Sequence, residues 1–186
     1  MIGVGITNMV KSYTFEEKND FSKKGISIVC TYLSLLKKTV SVKNVEDDPN
    51  YQKNDIDLVW VYKKNDTEIM ISIEVKTDKY TTGNFWLETF SNEELGTPGC
   101  FVKCKAKYLF YYFTKWDSMY VIPMGVAKEW FNSNFIRFKE SKTTTKDKQG
   151  NYKHTTVGRL VPITIMIKEV GGIKLIKNIS KLFNNS

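Results

Sequence analysis

A single α/β domain with a central mixed β-sheet flanked by helices is the fold class that the sequence predicts, on three observations. Helical periodicity near the start gives way to β-branched alternation, a hairpin signal stands at mid-chain, and aromatic strands and short helices follow to the end. At 186 residues the chain is long enough for one domain with a real core and too short for two, so residues 1–186 read as one unit.

From Ser12 or Thr14, either a candidate cap, to about Lys38, apolar residues Ile26, Val29, Leu33 and Leu36 recur at helical spacing, with Gly25 as a candidate break. This stripe is expected to pack on the core face of the hairpin. Thr39 to Val45 alternates and reads as the first strand, and Glu46 to Lys53 as a polar loop containing Pro49. Ile56 to Tyr62 and Glu68 to Thr77 are the hairpin strands.

Phe85 to Phe90 is expected as a further strand, with Phe85, Leu87 and Thr89 opposite Trp86, Glu88 and Phe90. Cys100 to Lys107 runs into two aromatic strands, Tyr108 to Phe113 and Met119 to Ile122, whose rings are core, a subunit interface or a base-stacking platform. Pro123 to Asn132 reads as a helix with Val126, Trp130 and Phe131 inward. Phe135 to Lys146 and Tyr152 to Met166 form a late, lysine-rich hairpin, either an arm for a phosphate backbone or a solvated tip. Gly171 to Phe183 reads as a closing helix.

Composition narrows the chemistry. The formal net charge is +8, from 28 basic against 20 acidic residues, which favours a polyanionic partner, although an AT-rich genome would inflate lysine in the same way. Arginine occurs only at Arg137 and Arg159, so bidentate reading of guanine edges has few candidates and backbone contact by lysine is favoured. His154 is the sole histidine, which excludes a His-rich metal site and nearly excludes Ser-His or Cys-His catalysis. Three cysteines, Cys30, Cys100 and Cys104, do not have zinc spacing. The leading residues lack a signal peptide's basic start and no apolar run is long enough to span a membrane; the expectation is a reduced, cytoplasmic protein of a bacterial or phage-infected cell, with no membrane partner.

Centring the hairpin loop between Asn65 and Asp66 makes facing positions sum to 131, so Asp57 lies opposite Glu74 and Asp55 opposite Lys76. Leu58, Trp60, Tyr62, Ile69, Ile71, Ile73 and Val75 then share one face, and Asp57, Val59, Ser72, Glu74 and Lys76 the other. Two carboxylates roughly 5 Å apart at Cβ repel unless protonated, paired with lysine or bridged by a hard divalent cation. The plainer alternative is a solvated hairpin face with Lys76 as counter-ion.

Asp57, followed after the hairpin by Glu74-Val75-Lys76, resembles the catalytic signature of the PD-(D/E)xK nuclease superfamily, with Ile56 in place of that family's proline. The string TGNFWLETFSN, followed by Thr97-Pro98-Gly99, resembles segments of its phage and bacterial members. The resemblance implies a restriction-endonuclease-like αβββαβ core with extra strands and a metal-dependent DNA endonuclease. Its catalytic residues would be Asp57, Glu74 and Lys76, its metal ligands Asp57, Glu74 and the carbonyl of Val75, and its cofactor Mg²⁺ with Mn²⁺ as substitute. It also implies a homodimer, because cutting two strands usually needs two sites. Glu16 and Glu17 read either as a further metal carboxylate or as acids at a helix start, and Glu88 as a phosphate-network residue or a salt bridge. Beside the nuclease stand a non-catalytic nucleic-acid-binding protein and an interaction protein such as an inhibitor.

Overall fold

The computed structural model describes the backbone of residues 11–183 and the side chains of residues 20–183. In chain order the elements are β1 (Lys11–Thr14), α1 (Phe15–Ser34), β2 (Thr39–Asn44), α2 (Pro49–Gln52), β3 (Leu58–Lys64), β4 (Thr67–Asp78), β5 (Asn84–Asn92), β6 (Thr97–Pro98) and α3 (Cys100–Lys103). They continue with β7 (Tyr108–Phe113), β8 (Ser118–Pro123), α4 (Met124–Asn134), a 3₁₀ turn at Phe135–Arg137, β9 (Lys139–Lys146), β10 (Tyr152–Pro162), α5 (Ile163–Glu169), β11 (Lys174–Lys177) and α6 (Ile179–Phe183).

The domain is mixed α/β, as expected, but its strands form two sheets. A six-stranded sheet runs β11-β8-β7-β4-β3-β2 and a five-stranded one β1-β9-β10-β5-β6. Both are mixed, β4 pairing parallel with β7 and β1 with β9. The central strands of the first sheet are covered on both sides. On one side, Ile26, Val29 and Leu33 of α1 pack with Leu58, Ile71, Ile73 and Val75, which is the contact expected of that stripe. On the other, Phe85 and Leu87 of β5 join Leu109, Tyr111 and Phe113 of β7 and residues of α3, α4 and α5. The central strand β7 therefore contributes to both cores, which explains its unbroken aromatic run.

The hairpin register is the expected one. Leu58 pairs with Ile73 and Lys64 with Thr67, every pair summing to 131. Asn65 and Asp66 both have positive φ, 49° and 63°, as a two-residue turn matching the strand twist requires.

Several expectations are corrected. The Glu46 to Lys53 loop contains a helical turn, because Asp48 accepts the N–H of Asn50 at 2.9 Å and Pro49 suits a helix start. The first hairpin strand begins at Leu58, two residues later than Ile56. A short helix, α3, occupies Cys100–Lys103. In α4 Phe131 and the partly buried Trp130 turn toward the core as expected, joined by Met124 and Ala127, while Val126 is exposed. The strand read to Met166 ends at Pro162, which cannot donate to a ladder and leads into α5. The closing stretch is divided by Asn178 at φ 56° into β11, an edge strand beside β8, and α6. β1 lies where helix was expected.

Gly25 does not break α1, which is continuous across it. Its role is close approach: a Cβ there would stand 1.7 Å from Oγ1 and 2.9 Å from Cβ of Thr77 on β4. Gly25→Ala is therefore expected to lower stability by about 1–3 kcal/mol in urea unfolding despite alanine's better helix propensity. Adding Thr77→Ala should recover part of the loss; a neutral or stabilising Gly25→Ala would contradict the contact.

Candidate active site

Asp57 sits just before β3, where the ladder ends. Its N–H bonds the carbonyl of Ile73 at 2.9 Å, although Ile73 is the register partner of Leu58. Two consecutive residues thus meet one on β4, the arrangement of a β-bulge, which re-aims a side chain. The Asp57 carboxylate is turned onto β4, where Oδ2 accepts the N–H of Val75 at 2.8 Å, and it lines the same cavity as Glu74, near enough for each carboxyl to act on the other's titration. A strand residue's N–H and C=O share one edge, so the Val75 carbonyl faces the same side, beyond the last β3–β4 pair.

Glu74 is buried and Asp57 partly so. Burial raises the Asp57 pKa to about 6, against the bond from Val75. Burial, and then the charge of Asp57, push Glu74 well above the carboxylate range. Two acids forced together in a poorly solvated place cannot both ionise freely. Cys100 Sγ donates to Glu74 Oε1 at 3.0 Å, so each carboxyl keeps one oxygen outside the bonds from Val75 and Cys100.

Lys76 lies on the same face of β4 as Glu74, with its amine 3.8 Å from Glu88 Oε2 and 5.0 Å from the centre of the Trp86 ring. Burial lowers its pKa, but the negative groups around it, Glu88 foremost, outweigh that and hold it above the ordinary value. Two ladder positions predicted for the acids are not found: Asp57 bonds Ile73 instead of facing Glu74, and Asp55 does not pair with Lys76. Asp55 adopts a left-handed φ of 49°, pairs with Lys103 at 3.3 Å, and its main-chain carbonyl accepts from Cys104 Sγ at 3.2 Å. That turn carries Asp55 out of the strand path.

An open cavity of about 340 Å³ is lined by Ser22, Lys23 and Ile26 of α1, by Glu46, Asp47 and Gln52, and by Asp55, Ile56, Asp57 and Glu74. A second recess, about 10 Å³ and barely the space of one water, holds Lys76, Trp86, Glu88 and Cys100, with Glu74 again in its wall. Glu74 is the junction: carboxylates reach the large cavity on one side of it, and the amine stands on the other. Sequence reasoning missed Asp55 in this role and Cys100 and Trp86 altogether; Cys100 carries no local signal, because α3 returns to Glu74 only through the fold.

Glu16 and Glu17 fall in the first turn of α1, outside the described side chains. Among the described residues no group of three or more His, Cys, Asp or Glu is arranged to hold a metal ion. No helix among them is long and apolar enough to cross a membrane. The late hairpin is partly neutralised: Lys142 pairs with Glu93 and Glu140, and Arg159 with Glu140. The aromatic strand Tyr108–Phe113 is mostly core rather than surface.

Comparison with known protein families, curated proteins and solved structures finds no match.

Proposed function

We propose that this chain is a metal-dependent DNA endonuclease of the PD-(D/E)xK type, hydrolysing phosphodiester bonds. The observation that carries the reading is the meeting of Asp57 and Glu74 at the mouth of an open cavity, with Lys76 on the face of Glu74. The chain path supports it too: α1, then the antiparallel β2-β3-β4, then α3 in the crossover to β7, parallel to β4, follows the αβββαβ order with β5 and β6 inserted. The net charge of +8, almost all lysine, supports backbone contact with DNA in the cytoplasm. A homodimer belongs to the same proposal.

The donor set suits Mg²⁺, with Mn²⁺ as substitute: two carboxyls with free oxygens and the Val75 carbonyl are hard ligands, and water completes such sites. Bound there, the ion would supply Lewis-acid polarisation of a phosphate and a lowered water pKa. Asp57 and Glu74 would hold it, and the bond from Val75 fixes the aim of Asp57. Lys76, kept charged, stabilises negative charge that develops on the phosphate and orients the attacking water.

A non-catalytic nucleic-acid-binding protein is the second reading, favoured by the pairing of Lys76 with Glu88 away from the large cavity. Incubation with plasmid, single-stranded and branched DNA decides between them. Cleavage dependent on Mg²⁺ or Mn²⁺ and lost in Lys76→Ala, with DNA binding retained, is expected; binding without cleavage of any substrate establishes the second reading.

A further inference from the structure

Glu88 belongs to β5, in the other sheet, and meets Lys76 where the two sheets face each other. Its two oxygens are divided: Oε2 lies 3.8 Å from the Lys76 amine, and Oε1 accepts the main-chain N–H of Cys100 at 3.0 Å. The strand is clamped there. Gly99 approaches so closely that a Cβ would stand 2.7 Å from the Glu88 carbonyl carbon and side chain, and its N–H bonds the Thr89 carbonyl at 2.8 Å. The Glu88 side chain is only 14% exposed and that of Lys76 25%, so water screens the pair incompletely.

Lys76 has a second carboxyl within reach. Side chains two apart on a strand share a face, so Glu74 lies beside it, and an unrestrained lysine would settle on that carboxyl. The ammonium would then occupy the charge that a cation needs. The Trp86 ring and the Glu88 carboxylate instead draw the amine away, toward the sheet interface.

We infer that Glu88 is a positioning residue that keeps Lys76 off Glu74, leaving the Asp57–Glu74 pair open to a divalent cation. This rests on the reading of that pair as a cation site. Glu88→Gln keeps the acceptor for the Cys100 N–H and removes only the charge, so Lys76 moves to Glu74 and competes with the metal. The probe is Mn²⁺ alone, titrated by calorimetry without DNA.

Glu88→Gln is expected to weaken Mn²⁺ binding about tenfold, the scale of losing a partner behind a metal ligand, and Glu88→Asp to restore most of it. In the double variant Lys76→Met, Glu88→Gln, affinity should return to that of Lys76→Met, since no amine remains to compete. A purely structural Glu88 would lower the melting temperature and leave the affinity of the folded protein unchanged. Equal affinity in wild type and Glu88→Gln overturns the inference, as does a double variant weaker than Lys76→Met, a comparison that holds even if Glu88→Gln alone fails to fold. Absence of Mn²⁺ binding in the wild type overturns the cation site as well, which separates the two failures.

Discussion

Asp57→Asn and Glu74→Gln are each expected to abolish DNA cleavage while making the metal-free protein more stable. The loss of activity should reach about 10³-fold or more, because removing a ligand forfeits several kcal/mol of Lewis-acid stabilisation at about 1.4 kcal/mol per decade. DNA binding should change little, since neither side chain is basic. The gain in stability follows from burial. Asp57 titrates at about 6 in the fold against an ordinary 3.8. Below pH 4 folded and unfolded chains are both protonated there; as pH rises from about 4 to 6 the unfolded chain releases a proton that the fold retains. Stability therefore falls across that window, and the penalty is complete above pH 6. The span corresponds to roughly 3 kcal/mol at most.

Asparagine keeps an oxygen for the Val75 N–H and carries no charge, so in chelator at pH 7.5 (about neutral, where the penalty is full) Asp57→Asn should be more stable by about 1–3 kcal/mol. The difference should vanish toward pH 4. Thermal melts across pH with EDTA measure it; a variant less stable than wild type at neutral pH would contradict the crowding of the two carboxyls. Adding Mg²⁺ should raise the wild-type melting temperature and leave the variants unmoved.

Phe85→Ala is expected to cost about 3–5 kcal/mol, a large part of a domain's total stability. Phe85 is fully buried where the sheets meet, its ring centroid 5.0 Å from Tyr111, 5.2 Å from Tyr120 and 5.9 Å from Phe113. No small residue can fill that space, and the neighbours lie on strands already hydrogen-bonded on both sides. The same strand carries Trp86 and Glu88, so damage should spread to Lys76. A urea midpoint shift worth less than about 1 kcal/mol would mean that the two sheets are not held together there.

What the sequence made legible was local. The hairpin register could be read because a two-residue turn at Asn65 and Asp66 fixes which residues face each other, and strand alternation then assigns each side chain to a face. The packing of α1 on that hairpin was legible from its periodicity. The partner of β5 was not: alternation says which side chains share a face, not that β10, some seventy positions on, lies alongside. The second sheet was invisible for that reason, and with it the enclosure of Lys76 by Trp86 and Glu88. At the site, Asp57 and Glu74 were expected to face each other across the ladder; they line one cavity instead by way of a bulge at Asp57. The bulge that aims Asp57 and the left-handed turn that gives Asp55 to Lys103 depend on single backbone angles that no residue pattern announces.

The central claim is that the Asp57 and Glu74 carboxyls share one hard cation. Crystals grown with Mn²⁺ and measured at a wavelength where manganese scatters anomalously test it most directly. The account predicts a single strong anomalous peak within coordination distance of both carboxyls and of the Val75 carbonyl, absent from crystals of Asp57→Asn. Manganese bound elsewhere, or a well-ordered site with no peak between these two side chains, would contradict it.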